Sequence, residues 1–435
     1  MMKHTDIHRQ TLHAPLHLLN DDADLDRLLE AIGDARVVML GEASHGTHEY
    51  YTWRARISKR LMREHGFQFI TVEGDWPACY SLNRFIKHYE GTPRKVTDVL
   101  RQFRRWPTWM WANWEVAALG DWLRSFNADR EPERRVGFYG LDVYSLWESM
   151  DEILTYLERE DPEAAAVAKR TITCFEPYKN DEQQYAWATR LVPESCEQEV
   201  VDLLRTILDR PQRFDSDVEA GFSAEQNALI TVNAEKYYRT MVRSGNESWN
   251  VRDRHMMQTL ERLLDFHGSQ SKAIVWEHNT HIGDARYTDM APAGMVNIGQ
   301  LARETYGEEA VKLVGFGSYR GTVVAGKAWG APYEVMVVPP ARRNSWEAML
   351  NTTGQERCYL LSSEFTGRAA YETEVPHRAI GVVYDPRREA YGNYVDSTVG
   401  RRYDAFIHID RTQALHPLDV ESDTHQVPET YPWNV

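Results

Sequence analysis

The sequence predicts an α/β fold with a mainly parallel central sheet flanked by helices and with an inserted all-helical lobe. Short β-branched runs alternate with amphipathic patterns in the early and late parts of the 435-residue chain, as in strand–helix–strand crossovers. From residue 144 to residue 266 the patterns are long and amphipathic, and no convincing strand interrupts them. We therefore expect a single domain, residues 1–435, with a helical sub-lobe at residues 144–266.

Nine short apolar runs are predicted to be strands. Each is apolar along its length and is bounded by Gly, Asp, Glu or Pro, which is typical of strands that are buried on both faces. The runs are Arg36–Leu40, Phe67–Val72, Val136–Gly140, Ala273–Trp276, Val311–Phe316, Tyr333–Val338, Cys358–Leu361, Ala379–Val383 and Ala405–Ile409.

The clearest helix pattern runs from Thr47 to His65. Thr47 is expected to be the N-cap, and the pattern ends before Gly66. His48 and Glu49 fall in the first turn, where a capping role is expected. Four apolar side chains share one stripe of this helix, namely Tyr50, Trp53, Ile57 and Leu61.

Composition narrows the choice of partners and of compartment. The chain has 65 acidic and 50 basic residues, a formal charge of −15, which disfavours nucleic acid and anionic membranes as partners. Neither a leader segment nor a run of ~20 apolar residues is apparent, so we expect a cytoplasmic protein. The four cysteines lie far apart without a C-x-x-C pair, which excludes a zinc ribbon or a disulfide scaffold and fits a reducing compartment. The oligomeric state is not indicated.

Carboxylates and imidazoles follow four of the predicted strands. Taken singly, such a Glu is more often an ion-pair partner and such a His a core residue. Taken together, they are expected at one edge of the sheet, where ligands bind in open α/β folds. They are Glu42 and His45 after the first strand, Glu73 after the second, Asp142 after the third, and Glu277, His278 and His281 after the fourth.

Two chemistries fit this set. In one, a neutral histidine removes a proton from water while a carboxylate holds its ring, and other histidines or Arg54 stabilise the oxyanion. In the other, the same residues bind a divalent metal that activates water. His278 and His281 are a possible chelate, although they do not match H-E-x-x-H. Ser44 is not expected to be a nucleophile, because Glu42 occupies the first glycine position of G-x-S-x-G.

Five residues are candidates for substrate binding or for support of the catalytic residues. Trp109 and Trp111 either pack at a helix start or line an apolar cleft. Asp142 either orients a catalytic group or caps the following helix. Arg252 and Asp253, on a helix predicted to open near Ser248 or Asn250, either form an ion pair or support His278 and His281.

Three segments resemble the erythromycin esterase family, and they occur in the family's order. They read GEASHGTHEYYTWRARISKRL, FITVEGDWPACYSLNRFI and VWEHNTHIGDAR. The resemblance implies a hydrolase of carboxylic esters or lactones without a required metal or other cofactor. The best-known substrate of the family is the macrolactone of erythromycin, which links the family to antibiotic resistance. The resemblance also implies an α/β core whose helical part forms one wall of a deep cleft.

The family's functional residues have counterparts in this chain. They are His45 as general base, Glu42 beside it, Glu73 across the cleft, Arg54 on the next helix, and the pair His278 and His281. A small-molecule ester or lactone is therefore the expected substrate, and cleavage of macrolides is not decided by these motifs. Since the G-E-x-x-H signature is shared with metalloprotease and haem-binding groups, the alternatives are a metal-dependent hydrolase or peptidase and a non-enzymatic binder of an apolar or haem-like ligand.

Overall fold

A computed structural model describes residues 15–178, 182–191, 195–208, 218–243, 245–365 and 372–422. Its strands are β1 (His17–Leu18), β2 (Val37–Leu40), β3 (Phe69–Asp75), β4 (Gly137–Asp142), β5 (Ala273–Trp276), β6 (Val311–Gly326), β7 (Tyr333–Val338), β8 (Arg357–Leu361), β9 (Val375–Arg378), β10 (Tyr394–Ser397) and β11 (Ala405–Thr412). Nine of them form one sheet in the order β1-β8-β11-β6-β2-β5-β3-β4, with β7 beside β6.

The sheet is mainly parallel, as predicted. All neighbours from β11 through β6, β2, β5 and β3 to β4 run parallel. Antiparallel pairs occur where β8 meets β11 and β1 and where β7 meets β6. The carboxyl ends of β2, β5, β3 and β4 therefore lie side by side at one edge.

Helices cover both faces of this sheet. Before β4 they are α1 (Asp26–Ile32), α2 (His48–Glu64), α3 (Trp76–Ile86), α4 (Val96–Leu100) and α5 (Trp114–Asn127). Between β4 and β5 the described residues form helices only, namely α6 (Leu146–Glu160), α7 (Pro162–Ile172), α8 (Glu182–Leu191), α9 (Glu197–Leu208), α10 (Ala220–Met241) and α11 (Gly245–Phe266). After β5 come α12 (Asn279–Ile282), α13 (Ile298–Tyr306), α14 (Trp346–Asn351), α15 (Glu389–Gly392) and α16 (Val399–Arg402). Among the described helices, none has the length and apolar character needed to cross a bilayer.

Side chains of successive strand residues enter two separate cores. Val38 and Leu40 pack in the core that includes the apolar stripes of α2 and α5. Val37 and Met39 pack in the other, which includes α10, α11 and α13. This alternation buries β2 on both faces, and it explains why its sequence is apolar at every position.

One of the nine strand predictions is wrong in part, and another is wrong. Residues 333–338 do form β7, but Val335 and Val337 are 65% and 62% exposed, because β7 pairs with β6 alone and lies off the main strand order. Residues 379–383 form no strand. Ile380 bridges to Ser44 and Val383 to Gly326, so this run meets two different segments in turn and cannot build a ladder with either.

The helix predictions are confirmed for α2 and need correction for α11. The helix α2 follows an N-cap at Thr47, and its four stripe residues are buried. The helix α11 begins at Gly245, before the predicted start at Ser248 or Asn250. The Asn250 side chain does not cap it, because its amide donates to the Gly294 carbonyl and its oxygen accepts from the Val296 N–H.

One disulfide bond closes part of the helical segment. Cys174 and Cys196 are bonded, with an S–S distance of 2.02 Å, whereas Cys79 and Cys358 are buried and take no part in a disulfide. This bond was not predicted from the sequence, because a separation of 22 residues between two cysteines is not a recognisable disulfide motif. The inference of a reducing compartment therefore loses this support, and a cytoplasmic location stays a prediction.

Candidate active site

A tight turn, residues 41–47, joins β2 to α2 and carries two of the candidate catalytic residues, Glu42 and His45. A Cβ on Gly46 would overlap the Val324 carbonyl oxygen, so only glycine lets the turn lie directly on β6. The Val324 N–H donates to the Gly46 carbonyl (3.0 Å), and the Asn279 N–H donates to the Glu42 carbonyl (2.9 Å). The turn is thus attached to β6 and to the end of β5.

Glu42 connects His45 to Arg54. His45 Nδ1–H donates to Glu42 Oε1 over 2.9 Å, and Arg54 Nη2 donates to Oε2 over 2.6 Å. Because the carboxylate can only accept, the ring proton of neutral His45 lies on Nδ1, which leaves a lone pair on Nε2. That Nε2 is buried and has no partner in the protein. His45 is therefore arranged as a proton acceptor.

Arg54 is fixed by aromatic rings as well as by Glu42. Its guanidinium lies 4.4 Å from the centre of the Tyr51 ring and 4.7 Å from that of the Trp276 ring, and its side chain is fully buried. Cation–π contact and permanent charge make arginine suited to such a place. Arg54 therefore holds Glu42 in position against His45.

His278, directly after β5, has the opposite arrangement of its ring proton. Its Nδ1 accepts from the Thr280 N–H (3.3 Å) and lies 2.8 Å from Thr280 Oγ1, a hydroxyl that can also donate to it. With Nδ1 as the acceptor, the proton of the neutral ring lies on Nε2. Nε2 is buried without a protein partner. Burial, and after it the neighbouring His45, hold the pKa of His278 well below its ordinary value. The centres of the two imidazole rings are 5.0 Å apart, so a proton acceptor and a neutral N–H donor lie in neighbouring rings.

Glu73 anchors His278 and Arg252. Its Oε2 accepts from the His278 backbone N–H (2.9 Å), and its Oε1 accepts from Arg252 Nη2 (2.7 Å). Burial raises the pKa of Glu73, but the neighbouring His281 and the Arg252 guanidinium outweigh burial and bring it to about 2. Glu73 is thus ionised and engaged through both oxygens, which suits positioning.

Arg252, on α11, ties Glu73 to Asp142. Its Nε donates to Asp142 Oδ1 (2.9 Å) and its Nη2 to Oδ2 (2.7 Å), and its guanidinium lies 5.0 Å from the Tyr144 ring centre. Of the two interpretations of Asp142, the structure favours orientation, because both carboxylate oxygens hold the arginine. The arginine in turn places Glu73.

His281 has partners at both ring nitrogens. Its Nδ1–H donates to Asp253 (3.0 Å), and its Nε2 accepts from Arg252 Nη1 (3.0 Å). The ring stacks on Trp249 at 4.5 Å between centres. Arg252 and Asp253 therefore support His281, which is one of the two interpretations that the sequence left open. No nitrogen of His281 is left for a substrate.

Glu277 was predicted to lie at the edge of the sheet, but no role was assigned to it. It lies between Trp276 and His278, is 1% exposed, and neither carboxyl oxygen has a protein partner. Burial, followed by the charges of Glu73 and Asp253, raises its pKa well above the ordinary value. The surroundings of Glu277 therefore favour its neutral, protonated form. The signal in the sequence that could have identified Glu277 is its position at a strand end, directly before the two histidines.

Trp109 and Trp111 differ in where they lie. Both are buried, but Trp111 also borders a cavity of about 240 Å³, and its Nε1–H donates to the Glu73 carbonyl (3.0 Å). Glu148 and Glu152 of α6 line the same cavity. Trp109 packs inside the core. Substrate contact by either Trp stays a prediction.

The predicted catalytic residues form one connected, buried cluster. Contacts run from Arg54 through Glu42, His45, His278 and Glu73 to Arg252, Asp142 and His281. His45 and His278 are 0% exposed, and Glu42 and Glu73 are 1% exposed. The chemical roles of these residues stay predictions, whereas their proximity is now a structural fact.

Curated proteins of related sequence point to hydrolases. The chain is 22% identical over 346 residues to erythromycin esterase type II of Escherichia coli, which covers 72% of this chain and 77% of that protein. It is 20% identical over 283 residues to YbfO of Bacillus subtilis (strain 168), a protein named as a hydrolase, and this match covers 62% of this chain and 61% of the relative.

Solved structures share the fold at low identity. A protein from Bacillus cereus has a TM-score of 0.79 at 20% identity, over 96% of this chain and 100% of that chain. A succinoglycan biosynthesis protein has a TM-score of 0.76 at 20% identity, over 95% and 98%. An erythromycin esterase mutant in its open conformation has a TM-score of 0.63 at 16% identity, over 93% and 96%. These likenesses confirm the α/β fold.

The family model described as erythromycin esterase matches residues 62–412, which is well over half of the chain. The match begins after Glu42, His45 and Arg54, so the assignment of these three residues to the site rests on the geometry described above. It includes Glu73, Asp142, Arg252, His278 and His281. The chain therefore belongs to the erythromycin esterase family.

Proposed function

We propose that the chain hydrolyses a carboxylic ester or lactone and that His45 is the general base that activates water. Family membership indicates a hydrolase. The observation that carries the finer proposal is that two neighbouring neutral imidazole rings are opposite tautomers. His45 has a lone pair on Nε2, whereas His278 has its N–H on Nε2. Hydrolysis by activated water needs one acceptor for the water proton and one donor for the oxyanion.

The reaction then proceeds in two balanced steps. His45 Nε2 takes a proton from water while the water oxygen bonds to the carbonyl carbon, and the former C=O electron pair becomes an oxyanion. His278 Nε2–H donates to that oxyanion. When the tetrahedral intermediate collapses, the C–O bond to the alcohol breaks and the proton on His45 passes to the leaving oxygen. The products are an acid and an alcohol.

Glu42 and Arg54 support this exchange from behind His45. The imidazolium that forms during the reaction is balanced by Glu42, and Arg54 keeps that carboxylate in place (2.6 Å). Glu73, Arg252, Asp142 and His281 act as positioning residues, because they hold the His278 backbone and one another. This departs from the expectation that His281 itself meets the oxyanion.

The donor set favours metal-free chemistry over a metallohydrolase. A metal ligand must present a lone pair, whereas Nε2 of His278 carries the ring proton in the tautomer whose Nδ1 accepts from the Thr280 N–H. His45 Nε2 has a lone pair, and Glu42 is already shared between His45 and Arg54. Activity should therefore survive exhaustive chelation. Loss of activity on chelation and its return with Zn²⁺ would favour the metal-dependent alternative.

Substrate access requires an opening motion. Both Nε2 atoms are buried, so a carbonyl group reaches them only after neighbouring side chains or segments move apart. The solved erythromycin esterase mutant was captured in an open conformation, and we propose that this chain also opens. The cavity beside Asp75 and Trp111 reaches the strand that bears Glu73 and is the proposed entrance.

Mass spectrometry after incubation with simple esters, lactones and macrolides tests the proposed function. We expect a mass gain of one water in a lactone, or the acid and alcohol from an ester, and no such change with His45→Ala. If no compound in a broad panel is hydrolysed while one remains tightly bound, the protein is a binder and the proposal is wrong.

A further inference from the structure

A second group of ionisable side chains lies on the surface beyond the catalytic turn. His48 begins α2, Glu115 lies in the first turn of α5, and His416 follows β11. One nitrogen of each histidine and one carboxylate oxygen all lie within 4.8 Å of one another. Three segments that are distant in sequence thus bring two imidazoles and a carboxylate to one point.

We propose that His48, Glu115 and His416 bind one divalent transition-metal ion such as Zn²⁺, at a site separate from the catalytic cluster. Imidazole nitrogen and carboxylate oxygen are the ligands that Zn²⁺ takes at about 2.0–2.2 Å. A site with three protein ligands leaves the fourth position to water, and all three residues line the same cavity.

The geometry is close to that of a bound ion. His48 Nδ1 and His416 Nδ1 each lie 2.6 Å from the same oxygen, Glu115 Oε1. Ligand atoms around a tetrahedral ion lie roughly 3.3 Å apart, as follows from the bond lengths above. Each of the two histidine nitrogens must therefore move less than 1 Å away from the Glu115 oxygen. His416 can follow easily, since its side chain is 58% exposed.

The surroundings supply a partner for a ligating ring. When His48 Nδ1 binds a metal, its Nε2 carries the proton, and Thr52 Oγ1 lies 3.4 Å from that nitrogen as a possible acceptor. Metal-binding histidines commonly donate their second N–H in this way. The cluster borders a cavity of about 320 Å³ that also includes Arg56 and Lys59. These cations oppose a metal ion, so we expect moderate affinity.

The ion would fasten the end of the described chain to the catalytic turn. The His48 N–H donates to the Gln413 carbonyl, the Leu415 N–H to the Gly46 carbonyl, and the Trp114 N–H to the His416 carbonyl. A metal held by His48 and His416 adds a direct link between this segment and the helix that follows His45. The site is therefore structural, and its loss should lower Tm.

Calorimetric titration of the metal-free full chain with Zn²⁺ is the test. We expect one more Zn²⁺ per chain in the wild type than in His416→Ala or Glu115→Gln, or an affinity at least tenfold higher. Even loss of an outer partner of a metal site costs about 10–100-fold in affinity. His65→Ala, at the other end of α2, is the matched control and should bind as the wild type does.

A second readout is the Tm with and without Zn²⁺. Zn²⁺ should raise the Tm of the wild type and of His65→Ala more than that of His416→Ala, which should fold because its side chain is exposed. His4, His8 and His13 lie outside the described residues and are present in every variant, so their background binding cancels. Equal stoichiometry, affinity and Tm shift in wild type and His416→Ala would overturn the proposal.

Discussion

Two glutamates at neighbouring strand ends have pKa values that are shifted in opposite directions. The pKa of Glu73 is lowered while Arg252 and the His278 N–H hold its oxygens, whereas the pKa of Glu277 is raised because its oxygens are buried without partners, which favours its neutral form. We expect Glu277→Gln, which keeps shape and neutrality, to change the free energy of unfolding by less than ~1 kcal/mol. Glu73→Gln should cost about 3 kcal/mol, because it unbalances a buried ion pair.

Denaturant titration of both variants measures these values. Each substitution replaces one carboxyl oxygen with an NH₂ group and keeps the length of the side chain. Each variant is therefore the control for the other. An equal loss of stability in the two variants would contradict the assigned protonation states.

The low pKa of Glu73 also predicts how stability depends on pH. A carboxyl whose pKa is about 2 in the folded protein and 4.5 in the reference state stabilises the fold at pH values above 4.5. That stabilisation, about 3 kcal/mol, is lost as the pH falls from 4.5 to 2. The difference in unfolding free energy between wild type and Glu73→Gln should therefore be constant above pH 5 and shrink below it. A difference that grows on acidification would be incompatible with this pKa.

At the level of elements, the turn between β2 and α2 depends on Gly46. A Cβ there would overlap the backbone of β6, so Gly46→Ala must displace the turn that carries Glu42 and His45. We expect a fall in kcat of about 100-fold, the scale of a displacement near 1 Å at a catalytic group. Gly392→Ala, where no atom lies within 4 Å of the added Cβ, is the control. Full activity of Gly46→Ala would show that the turn tolerates movement.

The disulfide between Cys174 and Cys196 makes a second prediction at this scale. Thiol labelling of the denatured, non-reduced protein should modify two cysteines, Cys79 and Cys358, and labelling after reduction should modify four. Closure of a loop of this length stabilises a fold by about 3 kcal/mol, so reduction should also lower the unfolding free energy. Four labelled cysteines without reductant would mean that the bond does not form.

The candidate residues at the strand ends could be predicted because the signal for them is local in the sequence. Each carboxylate or histidine follows an apolar run, and parallel strands place such residues at one edge. The sheet order β2-β5-β3-β4 then explains why His278, after β5, lies between His45 and Glu73. The strand order could not be predicted from the sequence, because it depends on pairing between strands that the helical segment separates in the chain.

Other features depend on packing between distant elements. The partners of His281 are set by where α11 crosses the sheet, so the sequence could suggest Arg252 and Asp253 only as candidates. Residues 379–383 are as apolar as a strand, yet they bond to two segments in succession. In both cases the deciding contacts lie far away in the chain.

At the scale of the whole molecule, the fold isolates the catalytic cluster from water. Helices cover both faces of the sheet, and charged side chains at its carboxyl edge are paired instead of solvated. A site of this kind gives strong electrostatic interactions once substrate has entered. Under the proposed mechanism, an opening motion therefore has to precede each turnover.

Turnover by a His45 variant tests the central claim most directly. With the best-cleaved compound of the ester and lactone panel, kcat/KM should fall about 10²–10⁴-fold in His45→Ala, the usual contribution of a general base. The control His65→Ala should keep wild-type values, and a cooperative denaturant transition above the assay conditions should show that both variants are folded in the assay. Unchanged kcat/KM in a folded His45→Ala would contradict hydrolysis by His45-activated water.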